Sequence, residues 1–355
     1  MAKVLMKGNE AIGEAAIRAG CIHFFGYPIT PQSEVPEYLS KRLPEVGGLY
    51  LQAESEVAAS NMIYGASGVG VKVLTTSSSP GISLMAEGLS YIAACELPVV
   101  LVNIMRGGPG LGGILPAQGD YLQATKGTAH GDFNLLVLAP DSVQEAVNLV
   151  IEAFDLAEKY RNPVMIIGDG MIGQMMEPVE FPDVEVGPPL KADDWALTGC
   201  EGRERRLVNS LYLDAQKLHE HNEKLKAKFD EITEKEQRWE LYNCEGDYEL
   251  LVTGFGMMAR ICKTAVDHLK AEGIEVGLFR PISVKPFPYK ALREQMDKAK
   301  RVLCVEMNMG QMLQDVQIAG EGTKQIDFYG KAGGVIPSVE DVVGQIKESL
   351  AKSGK

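Results

Sequence analysis

Three short segments of the sequence carry side chains that could bind and activate a small carboxylic substrate. Gly-Tyr-Pro-Ile-Thr-Pro occupies positions 26–31, Glu56 begins a run of small residues, and Arg106 precedes Gly-Gly-Pro-Gly. Each segment comes where a predicted strand ends, and turns at the carboxyl ends of strands are where α/β proteins place their chemistry. A hydroxyl, a carboxylate and a guanidinium suit a carboxylic acid and the ring nitrogen of a cofactor, with no protein nucleophile required.

Each of these segments has both a chemical and a purely structural interpretation. Thr30 lies between two prolines, which hold a turn extended and fix the hydroxyl outward, but such a turn can also be simply structural. Glu56 precedes Val-Ala-Ala-Ser; there a partly desolvated carboxylate can share a proton with a ring nitrogen, or merely complement a helix N-terminus. Arg106 opens a glycine-rich loop in which a guanidinium can bind a carboxylate through two parallel hydrogen bonds.

Alternating strand and helix patterns surround these segments as far as about residue 170. The predicted strands lie at 21–25, 71–75, 98–105, 135–138 and 164–167, and the predicted helices at 9–19, 32–43, 54–67, 82–95 and 142–159. Such alternation is typical of a parallel sheet covered by helices on both faces. A second α/β unit is predicted from strands at 248–252, 274–279 and 301–306 and helices at 257–271 and 339–350.

The composition changes between the two predicted units. Four prolines at 177–189 predict a linker, and residues 211–239 predict a charged amphipathic helix whose apolar positions recur every seven residues. Those positions are Leu211, Leu218, Leu225, Ile232 and Trp239, with Phe229 on the same side. We expect this stripe to pack on its own protein or on a partner subunit. The predicted division of the chain is therefore 1–180, 181–246 and 247–355.

Bulk properties exclude several classes of protein. The net charge is −13 over 355 residues without a basic stripe, so nucleic acid and anionic membranes are poor partners. Six cysteines lie far apart and form no Cys-x-x-Cys, which argues against a local iron–sulfur or zinc motif and against a disulfide framework. No run of 18 apolar residues occurs. We expect a cytoplasmic protein with reduced cysteines and no metal ligands of its own.

In order along the chain, the segments resemble the α subunit of 2-oxoacid:ferredoxin oxidoreductases. The resemblance rests on Gly-Tyr-Pro-Ile-Thr-Pro at 26–31, Ser-Glu-Val-Ala-Ala at 55–59, Ser-Pro-Gly-Ile-Ser-Leu-Met at 79–85 and Arg-Gly-Gly-Pro-Gly at 106–110. It is collinear over nearly the whole chain. It implies a thiamine-diphosphate pyrimidine-type domain with a doubly wound parallel sheet, followed by a smaller transketolase C-terminal-like α/β domain.

The resemblance also implies roles for individual residues. Glu56 matches the catalytic glutamate that forms a hydrogen bond with the aminopyrimidine ring of thiamine diphosphate. Thr30 and Arg106 match the positions that receive the carboxylate and oxo groups of the substrate. The remaining expected cofactor contacts are Tyr27, Pro28 and Ile29. Ser79 stands where relatives often have glycine.

The implied reaction converts a 2-oxoacid, coenzyme A and oxidised ferredoxin into acyl-CoA, CO₂ and reduced ferredoxin. In the family, thiamine diphosphate is shared with a β subunit that carries it together with Mg²⁺ and an iron–sulfur cluster, and γ and ferredoxin-like δ subunits can complete the complex. The glycine-rich run from Arg106 to His130 is more similar to the 2-oxoisovalerate (3-methyl-2-oxobutanoate, branched-chain) type. The alternatives are the 2-oxoglutarate type and a non-catalytic scaffold subunit that acts through the helix predicted at 211–239.

Two further motifs have a weaker claim to function. Gly-Asp-Gly at 168–170 resembles the opening of the thiamine-diphosphate metal motif, but no asparagine follows at the required distance, so we interpret it as a turn at a strand end. Gly-Phe-Gly at 254–256 fits a dinucleotide fingerprint between a strand and a helix. The next strand is followed by Arg280 and no acidic residue for a ribose, which favours a structural turn and leaves nucleotide binding as a further alternative.

Overall fold

The computed structural model describes residues 3–246 and 248–353, so the predicted boundary at 247 and both termini lie outside the described residues. The strands are β1 (Val4–Lys7), β2 (His23–Gly26), β3 (Leu49–Gln52), β4 (Leu74–Ser77), β5 (Val100–Met105), β6 (Leu136–Leu138), β7 (Val164–Asp169), β8 (Met176–Val179), β9 (Trp239–Tyr242), β10 (Leu250–Thr253), β11 (Val276–Pro281), β12 (Ser283–Lys285), β13 (Arg301–Glu306) and β14 (Gln325–Gly330). The helices are α1 (Gly8–Arg18), α2 (Glu34–Glu45), α3 (Glu56–Gly68), α4 (Pro80–Ala94), α5 (Tyr121–Thr125), α6 (Val143–Tyr160), α7 (Gly170–Gln174), α8 (Ala215–Lys235), α9 (Gly256–Ala271), α10 (Tyr289–Met296), α11 (Leu313–Gly320) and α12 (Val339–Ser353).

The larger sheet has the strand order β12-β6-β7-β5-β4-β2-β3, and its strands are parallel except for β12. All six residues of β5 are buried, as the continuous apolar run at 98–105 predicts for a strand covered on both faces. Helix α1 packs against α2 and α6, whereas α3 packs against α4. The predicted α/β class with a doubly wound parallel sheet is therefore confirmed.

A change of direction in the strand order determines where this sheet can bind a ligand. From β2 the chain passes to the edge strand β3 and then returns across β2 to β4 on the other side. Ligands of open α/β sheets bind in the crevice beyond the carboxyl ends of the strands at such a point. The crevice here is bounded by the segments that follow β2, β3 and β4, and Glu56 is the first residue after the β3–α3 connection.

The smaller sheet has the order β14-β13-β10-β11-β9, with β9 antiparallel to β11 and the other pairs parallel. Helices α9 and α12 pack together, as do α10 and α11. Two strands cross between the halves of the chain: β9 precedes residue 247 yet belongs to the smaller sheet, and β12 follows it yet completes the larger one. The predicted division of the chain at residues 180 and 246 stays a prediction, and the two sheets exchange strands across the second of these boundaries.

The amphipathic helix predicted at 211–239 is shorter than the spacing of its apolar residues suggests. Helix α8 begins after Asp214, whose carboxylate accepts hydrogen bonds from Gln216 N at 2.9 Å and Lys217 N at 3.2 Å. Trp239 starts strand β9, where its neighbours pair with β11 instead of continuing the helix. Both predicted ends were therefore wrong. The buried residues of the stripe are Leu225, Phe229 and Ile232, whereas Leu211, Leu218 and Trp239 are exposed.

Among the described residues, no helix combines the length and the apolar character needed to cross a membrane.

Candidate active site

The loop after β2 is held from behind by a buried glutamine. Gln32 is 0% exposed and donates from Nε2 to the carbonyl of Tyr27 at 3.2 Å and from its backbone N–H to Ile29 at 3.1 Å. Its amide oxygen accepts a hydrogen bond from Thr76 Oγ1 at 2.5 Å, which ties the loop to β4. Thr30 is left exposed at the crevice, as the rigid turn predicts.

Glu56 lies buried at the first turn of α3. Ser55 caps this helix by accepting a hydrogen bond from Ala58 N at 3.2 Å, and Glu56 follows it with 5% of its surface exposed. A methyl group at Gly81, in the first turn of α4, would overlap Ser77 Oγ and stand only 2.5 Å from Glu56 Oε1. Glycine is therefore required where α4 approaches the carboxylate, and the three residues pack closely against one another.

Arg106 follows β5 directly and reaches the loop after β2. Its Nη1 donates to the carbonyl of Thr30 at 3.0 Å, and its Nη2 donates to the carbonyl of Leu111 at 3.2 Å. The side chain is 8% exposed, and its Nε is buried without a hydrogen-bond partner. The structure thus brings Arg106 and Thr30 together and leaves one charged donor unpaired within the protein; the role of Arg106 in binding a carboxylate stays a prediction.

Three polar residues that the sequence analysis did not assign connect β4, β5 and α5 behind Arg106. Ser79 Oγ accepts a hydrogen bond from Arg106 N at 3.0 Å and donates to Asp120 Oδ2 at 2.6 Å. Asn103 accepts from Ser79 N at 3.1 Å and donates to the same Asp120 oxygen at 2.9 Å. Burial raises the pKa of the Asp120 carboxyl, although Ser79, Asn103 and Arg106 oppose the shift. The serine run at 77–79 before Pro80 was the available sequence signal.

The Gly-Asp-Gly turn at the end of β7 supports both loops of the site. Asp169 accepts hydrogen bonds from Met171 N at 2.8 Å and Ile172 N at 3.3 Å, and its complete burial raises its pKa to about 7. A methyl group at Gly170 would touch Pro31 and Pro116, which flank the two substrate segments. The predicted strand end is confirmed, since Gly168 and Asp169 end β7, but Gly170 begins the short helix α7 in place of the predicted turn. No group of three His, Cys, Asp or Glu side chains in the described ranges is placed to bind a metal ion.

The Gly-Phe-Gly turn after β10 is occupied by the chain itself. Gln118 donates from Nε2 to the carbonyl of Phe255 at 2.8 Å, and its backbone N–H donates to the carbonyl of Met307 at 3.0 Å. A methyl group at Gly256 would stand 3.2 Å from the Gln118 amide nitrogen. The side chain of Gln118, which is 0% exposed, therefore fills the space where a dinucleotide would approach the glycines.

The side chain of Arg280, at the end of β11, forms its hydrogen bonds within the protein. Its Nη1 and Nη2 donate to the two carboxylate oxygens of Glu145 at 2.6 and 2.7 Å, and its Nε donates to Glu240 at 2.8 Å. The guanidinium is 3% exposed. A role for it in binding the 2′-phosphate of a nucleotide is therefore not supported by the geometry.

Comparison with known proteins matches this architecture to one family over nearly the full length. The family model of pyruvate flavodoxin/ferredoxin oxidoreductase, thiamine diphosphate-binding, matches residues 14–239, and that of pyruvate:ferredoxin oxidoreductase core domain II matches residues 249–342. The chain belongs to this family of thiamine diphosphate-dependent 2-oxoacid oxidoreductases, and the resemblance seen in the sequence is confirmed.

Individual relatives show which members of the family this chain is similar to. Ketoisovalerate oxidoreductase subunit VorB of Methanothermobacter thermautotrophicus is 46% identical over 355 residues, which cover 99% of each chain. 2-Oxoglutarate synthase subunit KorA of Archaeoglobus fulgidus is 35% identical over 353 residues, covering 96% of this chain and 99% of the relative.

Solved structures agree on the fold. The 2-oxoglutarate:ferredoxin oxidoreductase of Magnetococcus marinus, solved with 2-oxoglutarate, coenzyme A and succinyl-CoA bound, superposes with a TM-score of 0.89 at 27% identity. The match covers 98% of this chain and 65% of that chain, so this chain spans about two thirds of the solved one. A split-gene transketolase, at 15% identity and a TM-score of 0.60, shares the fold alone.

The end of β4 carries unpaired hydroxyls next to Glu56. Ser77 Oγ and Ser78 Oγ are buried without hydrogen-bond partners, and Gly81 allows the start of α4 to approach Ser77 and the Glu56 carboxylate closely. Buried polar groups are normally paired, so these hydroxyls and the Glu56 carboxylate suit a flat heterocycle that carries both donors and acceptors. The specific roles of these residues stay predictions.

Proposed function

We propose that this chain is the α-type subunit of a 2-oxoisovalerate:ferredoxin oxidoreductase. The assembled enzyme would convert a branched-chain 2-oxoacid and coenzyme A into acyl-CoA and CO₂ and pass the electrons to ferredoxin. The observation that carries the proposal is that the carboxyl edge of the larger sheet carries both a buried Glu56, at the start of α3, and an Arg106 whose Nε is buried without a partner. The similarity to VorB along the full chain supports the branched-chain substrate.

Glu56 would hold the coenzyme by its ring nitrogen. Its carboxylate is almost fully buried beside Ser77 and Gly81, where a hydrogen bond to a ring nitrogen would be little weakened by water. When bound, thiamine diphosphate supplies the electron sink that makes loss of CO₂ from a 2-oxoacid possible. The part of Glu56 would be to orient the ring and to hold a proton at its nitrogen. Tyr27, Pro28 and Ile29, in the loop after β2, would supply the remaining contacts with the coenzyme.

Arg106 and Thr30 would receive the substrate. The Nε of Arg106 lacks a partner, and the hydroxyl of Thr30 lies exposed on the loop whose carbonyl holds Nη1. Together they offer a charged and a neutral donor to a carboxylate and an oxo group, which is the chemistry of a 2-oxoacid.

Partner subunits would complete the site. Leu111, Ile114 and Leu115, in the loop after Arg106, expose 85%, 60% and 56% of their surfaces. Large apolar side chains clustered at the mouth of a site are typical of a surface that another protein covers. We assign this surface to a β subunit that carries Mg²⁺ and the iron–sulfur cluster; γ and δ subunits and a cytoplasmic location belong to the same proposal.

Steady-state kinetics of the assembled complex tests the proposal. The chain is co-expressed with the β subunit encoded with it, and reduction of a ferredoxin-like dye is followed with a panel of 2-oxoacids, with and without thiamine diphosphate. We expect coenzyme-dependent turnover with the highest kcat/KM for 2-oxoisovalerate. A preference for 2-oxoglutarate would establish the alternative favoured by the KorA relatives. Full turnover with Glu56→Gln would establish the scaffold alternative.

A further inference from the structure

We propose that Ser79 is a positioning residue for the substrate, acting through Arg106. Ser79, Asn103 and Asp120, here called the Ser79 cluster, join the two ends of the glycine-rich loop at 107–119. The inference rests on the proposed function, since it concerns how the oxoacid carboxylate is bound. It assigns to two buried polar residues, Ser79 and Asn103, and to the half-buried Asp120 a task that none of the predicted roles covers.

The loop between Arg106 and Asp120 needs an external restraint. Six of its 13 residues are glycine, and glycine loses more conformational freedom on ordering than any other residue. Within the loop, Gly107 N donates to Leu115 at 3.1 Å and Gly113 N donates to Gly107 at 2.8 Å. Gln118 anchors the C-terminal part of the loop to Phe255 and Met307. The Ser79 cluster adds a link between the residues that flank the loop: Ser79 bonds the N–H of Arg106 on one side and the carboxylate of Asp120 on the other.

Ser79 occupies a backbone conformation that favours glycine. Its φ is +28° and its ψ is −81°, a region that L-residues with a side chain rarely adopt. A serine at this position therefore costs conformational energy, and a glycine would remove that cost. The side chain is only 9% exposed, and its one hydroxyl both accepts from Arg106 N and donates to Asp120. The hydrogen bonds of that hydroxyl are the evident compensation for the strained backbone.

Two sets of hydrogen bonds connect the Ser79 cluster to Arg106, the residue proposed to bind the substrate. The loop that Ser79 closes carries Leu111, whose carbonyl holds Nη2 of Arg106. Ser79 also holds the backbone of Arg106 itself. A loosened loop would release the guanidinium on both counts, so that its unpaired Nε would no longer be held in a fixed position. Binding of the carboxylate is then weakened, while the chemistry at the coenzyme, which Glu56 serves, proceeds once substrate is bound.

Kinetics of Ser79→Gly and Ser79→Ala in the assembled complex test this inference. Glycine removes both hydroxyl and backbone strain, whereas alanine removes only the hydroxyl. We expect each to raise KM for 2-oxoisovalerate about tenfold, the effect of losing one or two buried hydrogen bonds, with kcat within about twofold and an unchanged KM for coenzyme A. The matched control Ser40→Ala, on the exposed face of α2, should leave all constants as in wild type.

Variants of Asp120 provide the rescue. Asp120→Asn keeps an oxygen that can accept from both Ser79 and Asn103, so we expect a KM near the wild-type value, whereas Asp120→Ala should resemble Ser79→Ala. Wild-type KM in Ser79→Gly, or equal rises in KM for oxoacid and coenzyme A, would overturn the inference.

Hydrogen exchange separates this inference from the proposed function. In the full chain, we expect the amides of 107–119 to exchange faster in Ser79→Gly than in wild type, whatever substrate the complex uses. Unchanged exchange would overturn the role of the Ser79 cluster. An inactive wild-type complex with faster exchange in the variant would overturn only the proposed function and leave the loop closure standing.

Discussion

The larger and the smaller sheet each have a glycine-containing turn at the carboxyl edge, and the polar groups of the two edges are paired differently. At the larger sheet, Ser77 Oγ, Ser78 Oγ and Arg106 Nε are buried without partners. At the smaller sheet, Gln118 enters from the other half of the chain and pairs with Phe255, Met307 and Asn308. Thr253 Oγ1, at the end of β10, is also buried without a partner. The edges differ because Gln118 occupies the glycine turn of the smaller sheet, whereas Ser77 Oγ, Ser78 Oγ and Arg106 Nε stay unpaired at the larger one.

The difference shows that a sequence motif is enough to predict a turn but not a binding site. Whether the turn binds a ligand depends on whether its hydrogen-bonding groups already have partners within the protein. Gly-Phe-Gly at 254–256 has the spacing of a dinucleotide turn, yet its glycines admit Gln118. Arg106 resembles many arginines at the ends of strands, yet one of its donors is buried and unpaired. Substitutions at the first edge should therefore change activity with little effect on folding, and substitutions at the second edge should do the reverse.

The strongest test of the first edge is Glu56→Gln. We expect kcat of the assembled complex to fall by about 10² or more, the range for loss of a group that holds a proton in catalysis, with an unchanged Tm. Glu54→Gln, two residues earlier and exposed, is the control and should keep its activity. Comparable turnover of both variants would contradict the proposal that the carboxyl edge of the larger sheet is the active site.

Arg106→Lys should have the next largest effect. A lysine keeps the charge but lacks the fork that holds Thr30 and Leu111 while offering a further donor. We expect kcat/KM for the oxoacid to fall about 10- to 100-fold, which corresponds to about 1.5–3 kcal/mol for a charged hydrogen bond. The exposed Arg205 is the control, and Arg205→Lys should behave as wild type. A similar loss in both variants would show that charge at large, not the fork at the crevice, matters.

Gln118→Ala tests the second edge. The substitution removes an amide that donates to Phe255 O and accepts from Met307 N, both buried, so we expect the free energy of unfolding to fall by about 2 kcal/mol. Gln216→Ala, on the exposed surface of α8, should change it by less than about 0.5 kcal/mol. Urea unfolding measures both. Equal stability of the two variants would mean that Gln118 does not hold the edge.

Ser77→Ala is the subtlest test, because it removes a hydroxyl that has no partner in the protein. We expect no loss in the free energy of unfolding, whereas Ser67→Ala, whose buried hydroxyl donates to Pro98 O at 3.0 Å, should lose about 1 kcal/mol. The affinity of the complex for thiamine diphosphate should fall about fivefold in Ser77→Ala only, as measured by titration of activity. Destabilisation of Ser77→Ala to the same extent would place this hydroxyl in the fold.

Features that follow from local patterns could be read from the sequence. The buried run that became β5 and the turns after β2 and β5 could be predicted because apolar runs and proline or glycine turns are encoded within a few residues. The end of α8 could not, since the sevenfold apolar spacing continues through Trp239 into a strand that forms only when β11 lies beside it.

The partners of site residues were out of reach for a different reason. Gln118 meets Phe255 across 137 residues, and Ser79 meets Asp120 across 41. No period or spacing encodes a contact between segments that only the fold brings together. The sequence therefore predicted which residues could do chemistry, while which of their groups remain unpaired became visible only with the packing.

The exchange of β9 and β12 between the two parts of the chain, before and after residue 247, affects how the protein unfolds and how its fragments associate. The larger and the smaller sheet each end in a strand from the other side of residue 247, so a fragment that ends there would expose an unpaired sheet edge and carry one strand without its sheet. Each fragment alone would tend to aggregate through its unpaired strand edge, and the two fragments would associate when mixed. The intact chain should accordingly melt in one cooperative step, despite having two hydrophobic layers that look separable.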